Sequence, residues 1–122
     1  MSTWRDVVTV VEDDAGMAKA VKRLLRAKGF KIEVFASAEA FLASASAAEA
    51  RCLVVDVQLG GMSGIDLCRT LAASGLRPAF IFITALDDGE VKKAAIDAGC
   101  IAYLRKPFLS DLLIQAINRA GL

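Results

Sequence analysis

The chain has 122 residues, 15 Lys plus Arg against 14 Asp plus Glu, a formal charge of +1 and no histidine. That length holds one domain, spanning residues 1–122, that buries roughly two-thirds of its unfolded surface, and the charge balance excludes a global field for nucleic acid or an anionic membrane. Charged residues interrupt every apolar stretch short of the roughly 18 residues a membrane span needs, and without histidine the Ser-His and Cys-His hydrolase mechanisms are excluded.

Met1 to Asp6 lack a basic segment followed by an apolar one, so no signal peptide is expected and a cytoplasmic location follows. Val7, Val8, Val10 and Val11 then form a β-branched run that ends on Glu12-Asp13-Asp14. A helix follows Asp14 to about Lys28. Its apolar face carries Met17, Ala20, Val21, Leu24 and Leu25, its outer face Lys19, Lys22, Arg23 and Arg26, and Gly29 is its stop. Lys31 to Phe35 alternates as a short strand, and Ser37 is suited to cap an alanine-rich helix carrying Phe41 and Leu42. Ala43 to Ala50 is a low-complexity stretch. Cys52 to Val55 form the third run, ending on Asp56. Ser63-Gly64-Ile65-Asp66 has the form of a capping box and opens a helix to about Ser74, punctuated by Gly75 and Pro78. Ala79 to Ile83 lead into Thr84. A fourth helix spans about Asp88 to Ala98 with Gly99 as its stop, Ile101 to Leu104 lead into Arg105 and Lys106, and a fifth helix runs from about Ser110 to Ala120.

Continuous β-branched or aromatic runs read as strands buried on both faces, here alternating with helices. In such sheets the ligand crevice lies outside the carboxyl ends of the strands, where the reactive side chains of this chain fall. If the first and third strands are neighbours, Glu12, Asp13 and Asp56 converge. Like charges about 5 Å apart repel by roughly 3 kcal/mol at an effective dielectric near 20, so the acids need raised pKa values or a cation. Without His or paired Cys, Mg²⁺ is the best candidate. Asp56 ends a central strand alone, the least solvated and most rigidly aimed of the acids, and is read as a nucleophile that accepts a phosphoryl group. Lys106 is suited to pair with the phosphoryl oxygens, and the Thr84 hydroxyl to donate to another. Positioning and charge neutralisation would carry the chemistry, with no general base.

Each residue has an ordinary reading alone. Glu12-Asp13-Asp14 is a charge cluster at a helix start, Asp56 a turn cap, Thr84 a strand end, Lys106 a solvated residue before proline and Tyr103 half-buried core. Their joint occurrence at successive strand ends favours the site. Cys52, Cys68 and Cys100 lack metal-type spacing and read as small buried hydrophobes.

Val-Val-Glu-Asp-Asp at 10–14, Val-Val-Asp at 54–56, Gly-Met-Ser-Gly at 61–64, Ile-Thr-Ala at 83–85 and Tyr-Leu-Arg-Lys-Pro-Phe at 103–108 resemble the CheY-like receiver domain of bacterial response regulators. The resemblance covers the whole chain. It implies a doubly wound α/β fold of flavodoxin-like type, a five-stranded parallel sheet with five flanking helices and the strand order 2-1-3-4-5 described for CheY itself. It further implies that Asp56 accepts phosphate from a sensor histidine kinase, that Glu12, Asp13, Asp56 and the Gln58 backbone carbonyl hold Mg²⁺, and that Thr84 and Lys106 bind the phosphoryl group. Thr84 and Tyr103 would form the switch, reshaping the face of the fourth helix, fifth strand and fifth helix toward an output domain or partner. Lys106-Pro107 would be cis, as the family commonly has it. Such a domain is not a turnover enzyme, catalysing only its own phosphoryl transfer and slow dephosphorylation.

Phe35-Ala36-Ser37-Ala38-Glu39 and Phe41-Leu42 look like FixJ-type regulators, which carry a DNA-binding domain; this chain has no basic recognition helix and is expected neither to bind DNA by itself nor to engage a membrane. It is either a stand-alone receiver or an excised domain, and phosphorylation-dependent homodimerisation through the fourth and fifth helices stays open. Gly60 stands where the family usually has proline, and the Gly60-Gly61 pair is expected to loosen the loop after Asp56. Three other readings compete. A flavodoxin-like cofactor binder needs a glycine- and hydroxyl-rich first loop where this chain has acids. An Asp-nucleophile phosphatase wants an acid at Gln58, and a docking module would leave the acids without a task.

Overall fold

A computed structural model describes residues 7–122; the reading of Met1 to Asp6 as free of a signal peptide lies outside them. The strands are β1 (Val7–Val11), β2 (Lys31–Phe35), β3 (Cys52–Asp56), β4 (Ala79–Thr84) and β5 (Ala102–Arg105). The helices are α1 (Ala15–Ala27), α2 (Ala38–Leu42), α3 (Gly64–Ala73), α4 (Gly89–Asp97) and α5 (Ser110–Arg119), with a 3₁₀ turn at Ala45–Ala48. All strand pairs are parallel, in the order β2-β1-β3-β4-β5. The fold implied by the resemblance is therefore the fold observed.

Alternation along the strands divides the core between the two sheet faces. Val8, Val10, Cys52, Val54, Ile81 and Ile83 face α1 and α5 through Val21, Leu25, Leu113 and Ile117. Val11, Leu53, Val55, Phe80 and Phe82 face α2, α3 and α4 through Phe41, Leu67, Leu71 and Ala95. Burial at about 1.5–3 kcal/mol for each large apolar side chain makes this two-sided packing the main stabilising term. The central strands are apolar throughout because both their faces are covered.

Helix ends follow local chemistry. Asp14, Ser37, Ser63 and Asp88 accept backbone N–H bonds at the starts of α1 to α4. After α1, Gly29 takes φ +90°, Gly29 N donates to Arg26 O and Phe30 N to Leu25 O, a Schellman ending that needs a residue without Cβ.

Three details differ from the expectation. On α1 it is Ala18 that is buried, while Ala20 is exposed, because the inward stripe follows 18, 21 and 25. Of the expected capping box only the Ser63 half forms; the Asp66 carboxylate, one methylene shorter than Glu, lies instead 3.8 Å from Arg69. The alanine-rich stretch after α2 breaks at Ala43 and contains the 3₁₀ turn, whose Ser46 hydroxyl donates to Glu33 at 2.8 Å.

Candidate functional site

The parallel ladder delivers four strand ends to one edge of the sheet. Glu12 N donates to Phe35 O at 3.0 Å, carrying the β1 pairing one residue past Val11 and turning the Glu12 side chain inward. Asp56 and Thr84 are the last residues of β3 and β4. Lys106 N donates to Thr84 O at 2.7 Å, which ties the end of β5 to the end of β4. The Lys106-Pro107 peptide is cis.

Lys106 joins the buried acids. Its ammonium donates to Glu12 Oε1 at 2.7 Å and to Asp56 Oδ2 at 2.9 Å. Carboxylate oxygens of Glu12, Asp13 and Asp56 all lie within 4.8 Å of one another. Glu12 and Asp56 are buried and Asp13 is exposed, so the group opens to solvent on the Asp13 side. Burial pushes the Glu12 carboxyl up to about 7; the Lys106 bond works against this, and the Asp56 hydrogen bond and charge add to it. Burial works to lower the Lys106 pKa, but its bonds to Glu12 and Asp56 and their charges hold it above the usual lysine value. Three carboxylates thus gather around one lysine ammonium.

Main-chain donors orient the remaining oxygens. Gln58 N donates to Asp56 Oδ1 at 2.8 Å and Gly60 N to Asp13 Oδ2 at 3.3 Å. Thr84 is fully buried, and its Oγ1 accepts from Leu86 N at 3.0 Å, leaving its own proton for another acceptor. Asp14 stands apart from the cluster and caps α1 through Met17 N at 2.9 Å, the ordinary helix-start role. Gln58 lies exposed at the rim. Tyr103 is half-buried on β5, and its Oη is buried without a hydrogen-bond partner among the described residues. Burial, then the charges of Asp88, Cys100 and Asp87, push its phenol pKa up. The three cysteines carry free thiols, and burial raises each, Cys52 to about 12.

Two residues that sequence reasoning passed over support this edge. A Cβ on Gly64 would lie 2.5 Å from Asp56 O and 2.9 Å from Val55 Cγ1, so only glycine lets α3 start against the end of β3. The Gly-Met-Ser-Gly motif holds that signal, although neither the cap nor the resemblance says what its second glycine touches. Glu39, on α2, accepts from Met62 N at 2.9 Å; its place between Ala38 and Ala40 gave no hint of this.

The donor set suits a hard divalent cation: among the described residues it holds three carboxylates and no nitrogen or sulfur ligand. Among the described residues no helix is long and apolar enough to cross a membrane.

Comparison with known proteins agrees with this geometry. The response regulator receiver domain pattern matches residues 8–118. Response regulator protein TmoT of Ectopseudomonas mendocina is 36% identical over 98% of this chain and 54% of its own length. Transcriptional regulatory protein FixJ of Rhizobium meliloti (strain 1021) is 34% identical over 93% of this chain and 56% of its own. A crystal structure of a response regulator receiver protein from Burkholderia phymatum superposes with a TM-score of 0.80 and 41% identity, covering 93% of each chain. The chain thus spans about half the length of the curated relatives it matches. The matched pattern, the shared strand order and the acidic cluster at the sheet edge together establish that this chain belongs to the response regulator receiver domain family.

Proposed function

We propose that Asp56 accepts a phosphoryl group from the phosphohistidine of a sensor histidine kinase in a magnesium-dependent reaction. The observation that carries this is the convergence of Glu12, Asp13 and Asp56 within 4.8 Å, with the Lys106 ammonium 2.9 Å from Asp56. An Asp56 carboxylate oxygen attacks phosphorus, the P–N bond breaks, and its electron pair stays with the imidazole nitrogen. The product is an acyl phosphate. Glu12, Asp13, Asp56 and the Gln58 carbonyl would hold Mg²⁺, which when bound neutralises charge on the acids and on the incoming phosphoryl oxygens. Gln58 N and Lys106 aim the Asp56 carboxylate; Lys106 then transfers its hydrogen bond to a phosphoryl oxygen, and the Thr84 hydroxyl donates to another.

The switch follows from the same residues. Thr84 turns toward the phosphoryl group, Tyr103, whose Oη is already buried, responds to it, and the face of α4, β5 and α5 is reshaped for an output domain or partner, or for pairing of two copies. Ile96, Ile101 and Leu112 are exposed there and supply an apolar surface. The domain works in the cytoplasm as a stoichiometric acceptor, not a turnover enzyme, and does not itself read DNA.

Incubation with a small acyl phosphate and Mg²⁺, followed by intact mass, tests the proposal. Wild type should gain one phosphoryl group and Asp56→Asn none. Equal gain in both would move the nucleophile elsewhere.

A further inference from the structure

The loop from Val57 to Ser63 crosses the acidic edge, and alternate amides along it each meet a different carboxylate. Gln58 N reaches Asp56 at 2.8 Å, Gly60 N reaches Asp13 at 3.3 Å, and Met62 N reaches Glu39 Oε2 at 2.9 Å. The first two acids belong to the candidate cation site, whereas Glu39 lies outside that cluster. Glu39 sits in the first turn of α2, whose position is fixed by the fully buried Ala38 and Phe41 and by the Ser37 cap on Ala40 N at 3.0 Å. It is a side chain on a fixed base holding an otherwise glycine-rich loop.

Gly61 shows that the fit is specific. Its φ is +79°, and a Cβ there would lie 2.6 Å from Glu39 Oε2. The glycine is needed both for its backbone turn and for the approach of the carboxylate. The Met62 amide, followed by the Glu39 amide, lowers the pKa of this exposed residue's carboxyl, as expected of a charge-assisted bond to the ionised form. Leu59 and Met62 add apolar anchors against the α2–α3–α4 side of the core. The Gly60-Gly61 pair, expected to loosen the loop, is thus bracketed by ties at Gln58, Gly60 and Met62.

We infer that Glu39 is a positioning residue for the phosphoryl site, holding the loop through Met62 so that Gly60 stays on Asp13 and Gln58 on Asp56. The inference rests on the magnesium-dependent reading above. Without the Met62 tie, two adjacent glycines would sample many conformations, and Asp13, exposed and held by one 3.3 Å bond, would lose its orientation.

Two measurements test it on wild type, Glu39→Ala and Glu39→Gln. The first is amide hydrogen exchange at Gly60, Met62 and Phe41 by NMR without metal; the second is the Mg²⁺ dissociation constant by calorimetry. In Glu39→Ala, Met62 and Gly60 should exchange about tenfold faster while Phe41 in α2 is unchanged, and Mg²⁺ should bind roughly tenfold more weakly. Glu39→Gln keeps an acceptor oxygen and should fall between the two. Unchanged exchange at Met62, or an unchanged Mg²⁺ constant, in Glu39→Ala overturns the inference and leaves the phosphoacceptor reading intact. A wild type that binds no Mg²⁺ removes that reading and the inference with it.

Discussion

At the scale of residues, the burial of Glu12 beside Lys106 and Asp56 sets a measurable pH dependence. Burial raises Glu12 from 4.5 to about 7. Between those values the folded protein holds a proton that the unfolded chain has already released, so this group's contribution to stability falls as pH rises from about 4.5 to about 7. Above that window it is constant. Thermal unfolding in chelator, wild type against Glu12→Gln, isolates the effect: the melting temperature of wild type should drop relative to the variant across the window. A difference that stays flat would show that Glu12 is ionised throughout. Tyr103 gives a second prediction, since its Oη is buried without a hydrogen-bond partner among the described residues. Removing an unsatisfied hydroxyl relieves about 1 kcal/mol or more, so Tyr103→Phe should raise the melting temperature by about 3–5 °C. A lowered melting temperature would mean that the hydroxyl is bonded. The identity of the charged residues was legible in the sequence, because strand ends fix where their side chains fall. What was not legible was how unequally adjacent acids are buried: Glu12 turns into the core while Asp13, the next residue, lies exposed.

At the scale of elements, two glycines at helix starts make opposite predictions from the same substitution. In Gly64→Ala the new methyl meets the Asp56 carbonyl at 2.5 Å, and backbone cannot move aside as a flexible side chain would. Overpacking of this kind costs about 1–3 kcal/mol, and the displaced carbonyl belongs to Asp56, the proposed phosphoacceptor. Lower stability and slower labelling by an acyl phosphate should appear together. Gly89 opens α4 with nothing within 4 Å of its Cβ position and without a positive φ, so Gly89→Ala should be neutral or stabilising by up to about 1 kcal/mol. Chemical denaturation of both variants checks the pair; equal losses would show that helix-start glycine, not contact with β3, matters. Helix limits were readable because Asp14, Ser37, Ser63 and Asp88 cap and Gly29, Gly75 and Gly99 terminate, all local chemistry. The inward residue on α1 was less readable: Ala18 and Ala20 are chemically the same, and only packing against the sheet selects between them.

At the scale of the whole molecule, the near-neutral chain conceals a local charge that only the fold creates. Glu12 and Lys106 are 94 positions apart, as are no two residues that local sequence pattern can connect, yet their side chains lie at 2.7 Å. Their meeting follows from β1 lying between β2 and β3 and from the β4–β5 pairing, which places the ends of β1, β3, β4 and β5 along one edge. Apolar runs mark the strands; their spatial order required the motif resemblance, because burial on both faces makes the central strands alike. A cation that binds the folded edge and not the unfolded chain must stabilise the fold, by about 2.7 kcal/mol at a concentration 100 times its dissociation constant. At pH 8, above the Glu12 value of about 7, Mg²⁺ should therefore raise the melting temperature of wild type in a saturable way. Sodium chloride at matched ionic strength should not, because screening acts on all surface charges alike. Asp13→Asn should lose most of the response while remaining folded, since Asp13 is exposed and outside the core. An equal Mg²⁺ response in that variant would show the ion binding elsewhere on the surface, and the acidic edge would then be held by Lys106 alone.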